Sequence, residues 1–266
     1  MATGSSGKNG VQSLSRAFGL LEAMADAGGE ISLSQLATRT QLPPPTIHRL
    51  IRTLVGLGYV RQEPSRQYSL GPRLMRLVDT GTKRLATLAH PQMSQVVDLL
   101  GESVNLAVLD GDEVVYVAQL QPSQNFMRMF TEVGGRVKPH STAVGKAILA
   151  HMPEDAVRGL LGRTGMPRRT EHTLTTPERL IADLDQVRQR GYAIDDGEYE
   201  LGVRCVAVAV QPAPRPMALS ISGPLPRVSD EVVMRAVPVL ADAARRIGAE
   251  LEAAGTSRGT AELQPA

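Results

Sequence analysis

The residues whose types can do chemistry fall into two groups. Between Pro44 and Gly56, Thr46, His48, Arg49, Arg52 and Thr53 alternate with Ile47, Leu50, Ile51 and Leu54. Arginine offers guanine a fork of two hydrogen bonds in the major groove, and hydroxyls reach bases or phosphates. Arg61 and Arg66 follow closely and suit phosphates or the minor groove. The second group is scattered. Cys205, His140 and Asp195 have the types of a nucleophile, a base and an orienter, but none sits in a local catalytic signature. Gly145-Lys146-Ala147 is like the end of a phosphate-binding loop. However, Ala147 replaces the needed hydroxyl, and His140 stands where the leading glycine belongs. His90, His140, His151 and His172 lack zinc-ligand spacing. The one cysteine excludes an intramolecular disulfide and any Cys-rich metal site. No catalytic residue, metal or cofactor is expected.

The DNA-directed set needs a helix to carry it. Pro44 and Pro45 lack a backbone N–H and fit only a first helical turn. Ile47, Leu50, Ile51 and Leu54 then form the buried stripe of a helix over 44–56. Upstream, Ser32 with Gln35 is a capping-box pattern that starts a helix over 33–40. Gln41-Leu42-Pro43 is the turn between them. Val11, Leu14, Phe18, Leu21 and Ala25 give an earlier helix one apolar face, and Gly28-Gly29 ends it. Residues 58–61 and 66–70 read as strands around a Glu63-Pro64-Ser65 turn. Two short helices, a tight turn, a third helix and a β-wing make a winged helix-turn-helix over 11–70. The plainer alternative is that Arg49 and Arg52 only solvate a helix face. The ordered set argues against it.

The charge balance agrees. Residues 1–90 hold 11 Lys and Arg against 5 Asp and Glu, a balance of +6, while residues 91–266 hold 18 against 22, a balance of −4. A basic first third on an acidic remainder separates a polyanion-binding part from a part with another task. The 266 residues suit about two domains. Residues 1–10 are small and polar without the apolar core of a secretory signal, and no apolar run approaches the ~18 residues of a membrane span. A soluble cytoplasmic protein, nucleoid-associated through DNA, is expected. Residues 1–10 and 253–266 are expected to be disordered tails.

Leu74, Leu77, Val78, Leu85 and Leu88 give a linker helix over 71–90 one apolar side, and Gly81 could let it bend. From 91 to 252 helices and strands mix. Pro91 suits a helix start. Strands fall near 104–109, 114–118, 192–194, 205–210 and 217–221. Helices fall near 144–151, 153–161, 177–190 and 229–252, the last with Pro238 inside it. The pattern is a mixed α+β sensor domain.

The stretch Val11-Gln12-Ser13-Leu14-Ser15-Arg16-Ala17 resembles the start of an IclR-type transcriptional regulator. The resemblance continues through Thr46-Ile47-His48-Arg49-Leu50, Leu57-Gly58-Tyr59-Val60 and Leu109-Asp110-Gly111-Asp112. It goes on at His140-Ser141-Thr142-Ala143-Val144-Gly145-Lys146-Ala147, Gly191-Tyr192-Ala193-Ile194-Asp195-Asp196, Gly202-Val203-Arg204-Cys205 and Ser220-Ile221-Ser222-Gly223-Pro224. Pro44 and Pro45 depart from the Lys or Ser pair common there.

The resemblance implies a GAF-like effector domain with a central antiparallel sheet. It also implies a dimer paired through the linker helix and DNA-binding domain, with tetramers common. Residue by residue it implies an effector site at Asp195, Cys205, Ser220 and Ser222, with the backbone of Ala143 and Val144. Residues two apart on a strand share a face, so Ser220 and Ser222 can enter one cavity. Met127 and Met129, with Phe126, can supply adaptable apolar walls. Plain core packing is the alternative for the cysteine and the methionines.

The expected function is therefore an effector-responsive regulator of a catabolic operon, a repressor rather than an activator. It would bind a palindromic duplex operator and be modulated by a small organic acid such as a glyoxylate-like, pyruvate-like or ureide-pathway acid. Activation of aromatic-acid catabolism, and an enzyme with an incidental DNA-binding domain, are the alternatives.

Overall fold

The Ser32 hydroxyl accepts from the Gln35 amide while the Gln35 side chain takes the Ser32 N–H, and this reciprocal cap starts α2 (Leu33–Thr40). In this computed structural model residues 11–78, 82–122 and 132–259 are described, without the side chains of 78, 82–84 and 255–259. The chain divides into two units, Met1–Gly81 and Thr82–Ala266.

In the first unit α1 (Gln12–Asp26), α2 and α3 (Pro44–Gly56) are followed by β1 (Val60–Gln62), β2 (Tyr68–Leu70) and α4 (Arg73–Val78). Pro44 and Pro45 occupy the first turn of α3, where a missing N–H leaves no bond unmade. The strands pair antiparallel as a small wing, and Ile31 bridges to Tyr68. Leu20, Met24, Leu36, Ile47, Ile51, Val60 and Tyr68 close the core.

The expected apolar face of α1 needs correction. Leu20 and Met24 are buried, whereas Leu14 is 59% and Phe18 58% exposed. The helix carries two apolar stripes. Periodicity alone does not say which one the other helices cover.

The second unit opens with α5 (Thr82–Leu100). Pro91 lies inside this helix rather than at its start. Linker and first sensor helix therefore run together instead of parting at residue 91. Packing of α5 on the sheet and on the last helix outweighs the one backbone hydrogen bond a proline removes.

Next come β3 (Ser103–Asp110), β4 (Glu113–Leu120), β5 (Arg136–Val137), a 3-10 turn (Pro139–Ser141) and α6 (Ala143–Leu149). Then follow α7 (Glu154–Thr164), α8 (Pro177–Arg190), β6 (Ala193–Asp196), β7 (Val203–Ala209), β8 (Met217–Pro224) and α9 (Asp230–Gly259). The two-residue β5 and the 3-10 turn have no counterpart in the sequence reading, because both are too short to show a period. Helix α9 runs past the boundary expected at Glu252. Ala253 and Ala254 favour helix, and the next proline is Pro265. Residues 1–10, Gly81, Phe126, Met127 and Met129 lie outside the described residues.

The six strands form one antiparallel sheet in the order β5-β4-β3-β8-β7-β6. One face is large and aliphatic. Val104, Leu106, Val206, Val208, Leu219 and Ile221 pack with Met93 of α5 and Leu240 and Ile247 of α9. The other face is built of small residues, Ala107, Ala193, Ala207 and Ala218, under α6 and α8. These alanines let α6 lie close to the sheet, and all seven of its residues are buried. Among the described residues no helix is long and apolar enough to cross a membrane.

Candidate effector cavity and DNA-contact surface

Strand alternation decides what reaches the α6 side of the sheet. On β8, Ala218, Ser220 and Ser222 share that face, and on β7 Cys205 and Ala207 do. The register then places Asp195 opposite Cys205 and Cys205 opposite Ser222. A row of carboxyl, thiol and hydroxyl thus crosses three strands beneath the start of α6. Tyr116, Thr142, Ala143, Val144, Asp195, Tyr199, Glu200, Val203, Cys205, Ser220 and Ser222 line one cavity. All six described candidates for effector contact are in that set. The cavity is narrow, about 20 Å³, the room of about one water.

Among the described residues no Lys or Arg lines this cavity, so an anion would meet hydroxyls, a thiol and carboxyl groups there. Asp195 is buried, and its Oδ1 accepts from the amides of Glu198 (2.7 Å) and Tyr199 (3.3 Å). Burial, then the Glu198 carboxylate, push its pKa up to about 7. It is therefore about half protonated at neutral pH and mostly protonated below it, and a protonated carboxyl can donate to a ligand oxygen. Desolvation, then Asp195, also push the Cys205 thiol up. Cys205 keeps some surface, at the cavity it lines, and stays a thiol rather than a thiolate. That state suits packing and hydrogen bonding, not nucleophilic attack.

His140 does not line the cavity. It is fully buried, and its Nε2 meets the Pro167 carbonyl at 3.1 Å. The proposed nucleophile, base and orienter do not assemble around one space. Gly145-Lys146 also finds a structural explanation. A Cβ on Gly145 would overlap the Pro139 carbonyl oxygen, so only glycine lets the 3-10 turn pass over α6. Lys146 is 2% exposed and reaches Glu198 (2.5 Å) and Asp183 (2.9 Å). It thereby anchors the turn that supplies the Asp195 amides. The Glu198 carbonyl is held in addition by the hydroxyls of Thr170 (3.2 Å) and Thr173 (2.7 Å). Among the described residues no group of three His, Cys, Asp or Glu side chains is placed to hold a metal ion.

Sequence reasoning missed Tyr116, Thr142, Tyr199, Glu200 and Val203 of the lining. Thr142 had a local signal, since its hydroxyl caps α6 by accepting from the Gly145 N–H (3.2 Å). The others arrive through sheet register and the turn after β6.

In the first unit Ile47, Ile51 and Leu54 bury one side of α3. His48, Arg49 and Arg52 are exposed, and Thr46 is half-buried. Thr53 is exposed, but its hydroxyl already donates to the Arg49 carbonyl (3.0 Å). Arg61 pairs with Glu63 (3.2 Å) on the wing. Arg66 is exposed at the wing turn with a φ of 63°, held by its N–H on the Glu63 carbonyl (2.9 Å). Arg49 and Thr53 also border an apolar groove of about 470 Å³ with Leu14, Phe18, Leu57, Leu74 and Leu77.

Comparison with known proteins fits both units. The IclR helix-turn-helix domain matches residues 13–64, and the bacterial transcriptional regulator IclR C-terminal domain matches residues 80–249. The chain belongs to the IclR family of bacterial transcriptional regulators. It is 36% identical over 244 residues to the transcriptional repressor IclR of Escherichia coli, covering 89% of each chain. The crystal structure of Thermotoga maritima IclR superposes with a TM-score of 0.76 at 28% identity, covering 90% of this chain and 98% of that one. An IclR homolog from Microbacterium hydrocarbonoxydans complexed with 4-hydroxybenzoate gives 0.74 at 27%, covering 91% and 100%.

Proposed function

We propose that the protein is an effector-responsive repressor of a catabolic operon, acting in the cytoplasm on a palindromic duplex operator. The observation that carries this reading is the convergence of Ala143, Val144, Asp195, Cys205, Ser220 and Ser222 on one narrow cavity. A small organic acid is the effector. Its carboxylate takes hydrogen bonds from the serine hydroxyls and from protonated Asp195, and the narrow space favours few heavy atoms. His48, Arg49 and Arg52 enter the major groove, and Arg61 and Arg66 meet phosphates or the minor groove. Among the described residues His48, Arg49, Arg52 and Arg66 have no carboxylate partner, which leaves them available to DNA.

The exposed stripe of Leu14 and Phe18, facing Leu57, Leu74 and Leu77 across the groove, supports pairing with a second copy through this unit. A dimer places two α3 helices in successive major grooves about 34 Å apart. Two dimers can join as a tetramer. The effector acts only so far as it binds the DNA-competent and released states differently. A coupling of about 1–3 kcal/mol changes operator affinity roughly 5–150-fold.

A second reading is an aromatic acid. Tyr116 and Tyr199 line the cavity, and the Microbacterium homolog was solved with 4-hydroxybenzoate. A thermal-shift screen with glyoxylate, pyruvate and 4-hydroxybenzoate, followed by operator titration with each hit, tests both. Stabilisation by a small acid that also weakens operator binding is expected. Stabilisation by 4-hydroxybenzoate alone would favour the aromatic reading, and no hit would remove this cavity as the site for any of the three acids.

A further inference from the structure

Beside the cavity a chain of amide side chains runs across the sheet. Gln121 Nε2 donates to Gln119 Oε1 (3.3 Å), Gln119 Nε2 donates to Asn105 Oδ1 (2.8 Å), and Asn105 Nδ2 donates to Ser222 Oγ (3.1 Å). Asn105 is completely buried. The register explains the row. Asn105 of β3 lies opposite Gln119 of β4 on one side and Ser220 of β8 on the other. Ser222 lies directly opposite Cys205, and both side chains line the cavity.

An amide has a donor end and an acceptor end, so the orientation of one sets the next. Read inward, each side chain donates to its neighbour. A lone pair of Ser222 is therefore already used, and its single hydrogen is left for the thiol or for a ligand.

We propose that Gln121, Gln119 and Asn105 are positioning residues that fix the Ser222 hydroxyl as a donor into the cavity, so that the site selects ligands presenting an acceptor oxygen there. A carboxylate or keto oxygen meets this donor well, and an N–H group meets it badly. The inference rests on reading the cavity as the effector site, and it adds the polarity of one wall. None of the three residues lines the cavity.

Gln119→Glu and Gln121→Glu test it from outside the cavity. A carboxylate only accepts. Glu at either place turns the amides between it and Ser222 around, and Asn105 then presents its Oδ1 to Ser222. The Ser222 hydrogen goes to Asn105, and the Cys205 thiol becomes the donor to the freed lone pair. The chain has one cysteine, so the S–H stretch in a Raman spectrum of the full-length protein reports this site alone. The band is expected to move to lower frequency in both variants, once circular dichroism melts show that they fold. Calorimetry with pyruvate and its neutral amide, pyruvamide, gives the second readout. The preference of the wild type for pyruvate is expected to shrink about tenfold, the worth of a hydrogen bond to a charged group. An unmoved S–H band in both folded variants would overturn the inference. A moved band with no binding of either probe to the wild type would uphold the relay and remove pyruvate-like acids as the effector. A moved band with an unchanged preference would overturn the claim of selectivity.

Discussion

Asp195 of β6 and Cys205 of β7 stand directly opposite each other in the register of the sheet. Burial and then the Glu198 carboxylate hold back ionisation of Asp195, and burial and then the Asp195 carboxylate hold back that of Cys205. Below pH 7 Asp195 is mostly a carboxylic acid and Cys205 a thiol, so both can donate hydrogen bonds into the cavity.

Stability should depend on pH through Asp195. Its folded pKa is about 7 against an ordinary value of 3.8. The folded chain thus holds a proton that the unfolded chain releases between those values. This contribution is present below about 4 and is lost as pH rises to about 7. Asp195→Asn keeps an acceptor for the Glu198 and Tyr199 amides and carries no charge. It should melt at a higher temperature than the wild type at pH 8, with the gain shrinking toward pH 4. A gain that is absent, or equal at both pH values, would mean that Asp195 is not the titrating group.

Lys146→Met should destabilise the sensor unit by about 3–5 kcal/mol, the usual effect of leaving buried charges unpaired. Glu198 and Asp183 lose their cation. The loss should ease at low pH, where burial already favours protonated Glu198. Chemical denaturation at pH 5 and pH 8 gives the comparison, and an equal loss at both would show that packing alone is affected.

Arg49→Ala and Arg52→Ala should each cost operator affinity about 1–3 kcal/mol while leaving binding to unrelated duplex much less affected, as expected for base contacts. Fluorescence anisotropy with both duplexes measures this. Equal losses on the two would make the residue a phosphate contact.

Phe18→Asp puts a charge on the exposed stripe of α1 without touching Leu20 or Met24 of the core. Operator affinity should fall steeply while the melting of the monomer unit is kept. Unchanged operator affinity would place the dimer contact elsewhere.

Much of the DNA-binding unit was legible because its signals are local. The Ser32–Gln35 cap, the Pro44-Pro45 helix start and the Ile47, Ile51, Leu54 stripe each lie within one turn or one helix. Ser220 and Ser222 were legible as one face of a strand. Asn105 and Gln119 were not. They matter only through their register with Ser222 and with each other, and a sequence does not print which strands are neighbours. The misassigned face of α1 and the interior Pro91 failed for a related reason. Tertiary packing decides which apolar stripe is covered and where a proline is tolerated. The expected contacts at Met127 and Met129 lie outside the described residues.

The most direct test combines Ser220→Ala with Ser222→Ala in the full-length protein and titrates operator DNA with and without pyruvate or glyoxylate, whichever stabilises the wild type. The expected result is operator binding within a factor of about two of wild type and loss of the roughly 5–150-fold response to the acid. A double variant that still releases the operator at the wild-type concentration of acid would contradict the assignment of this cavity as the effector site.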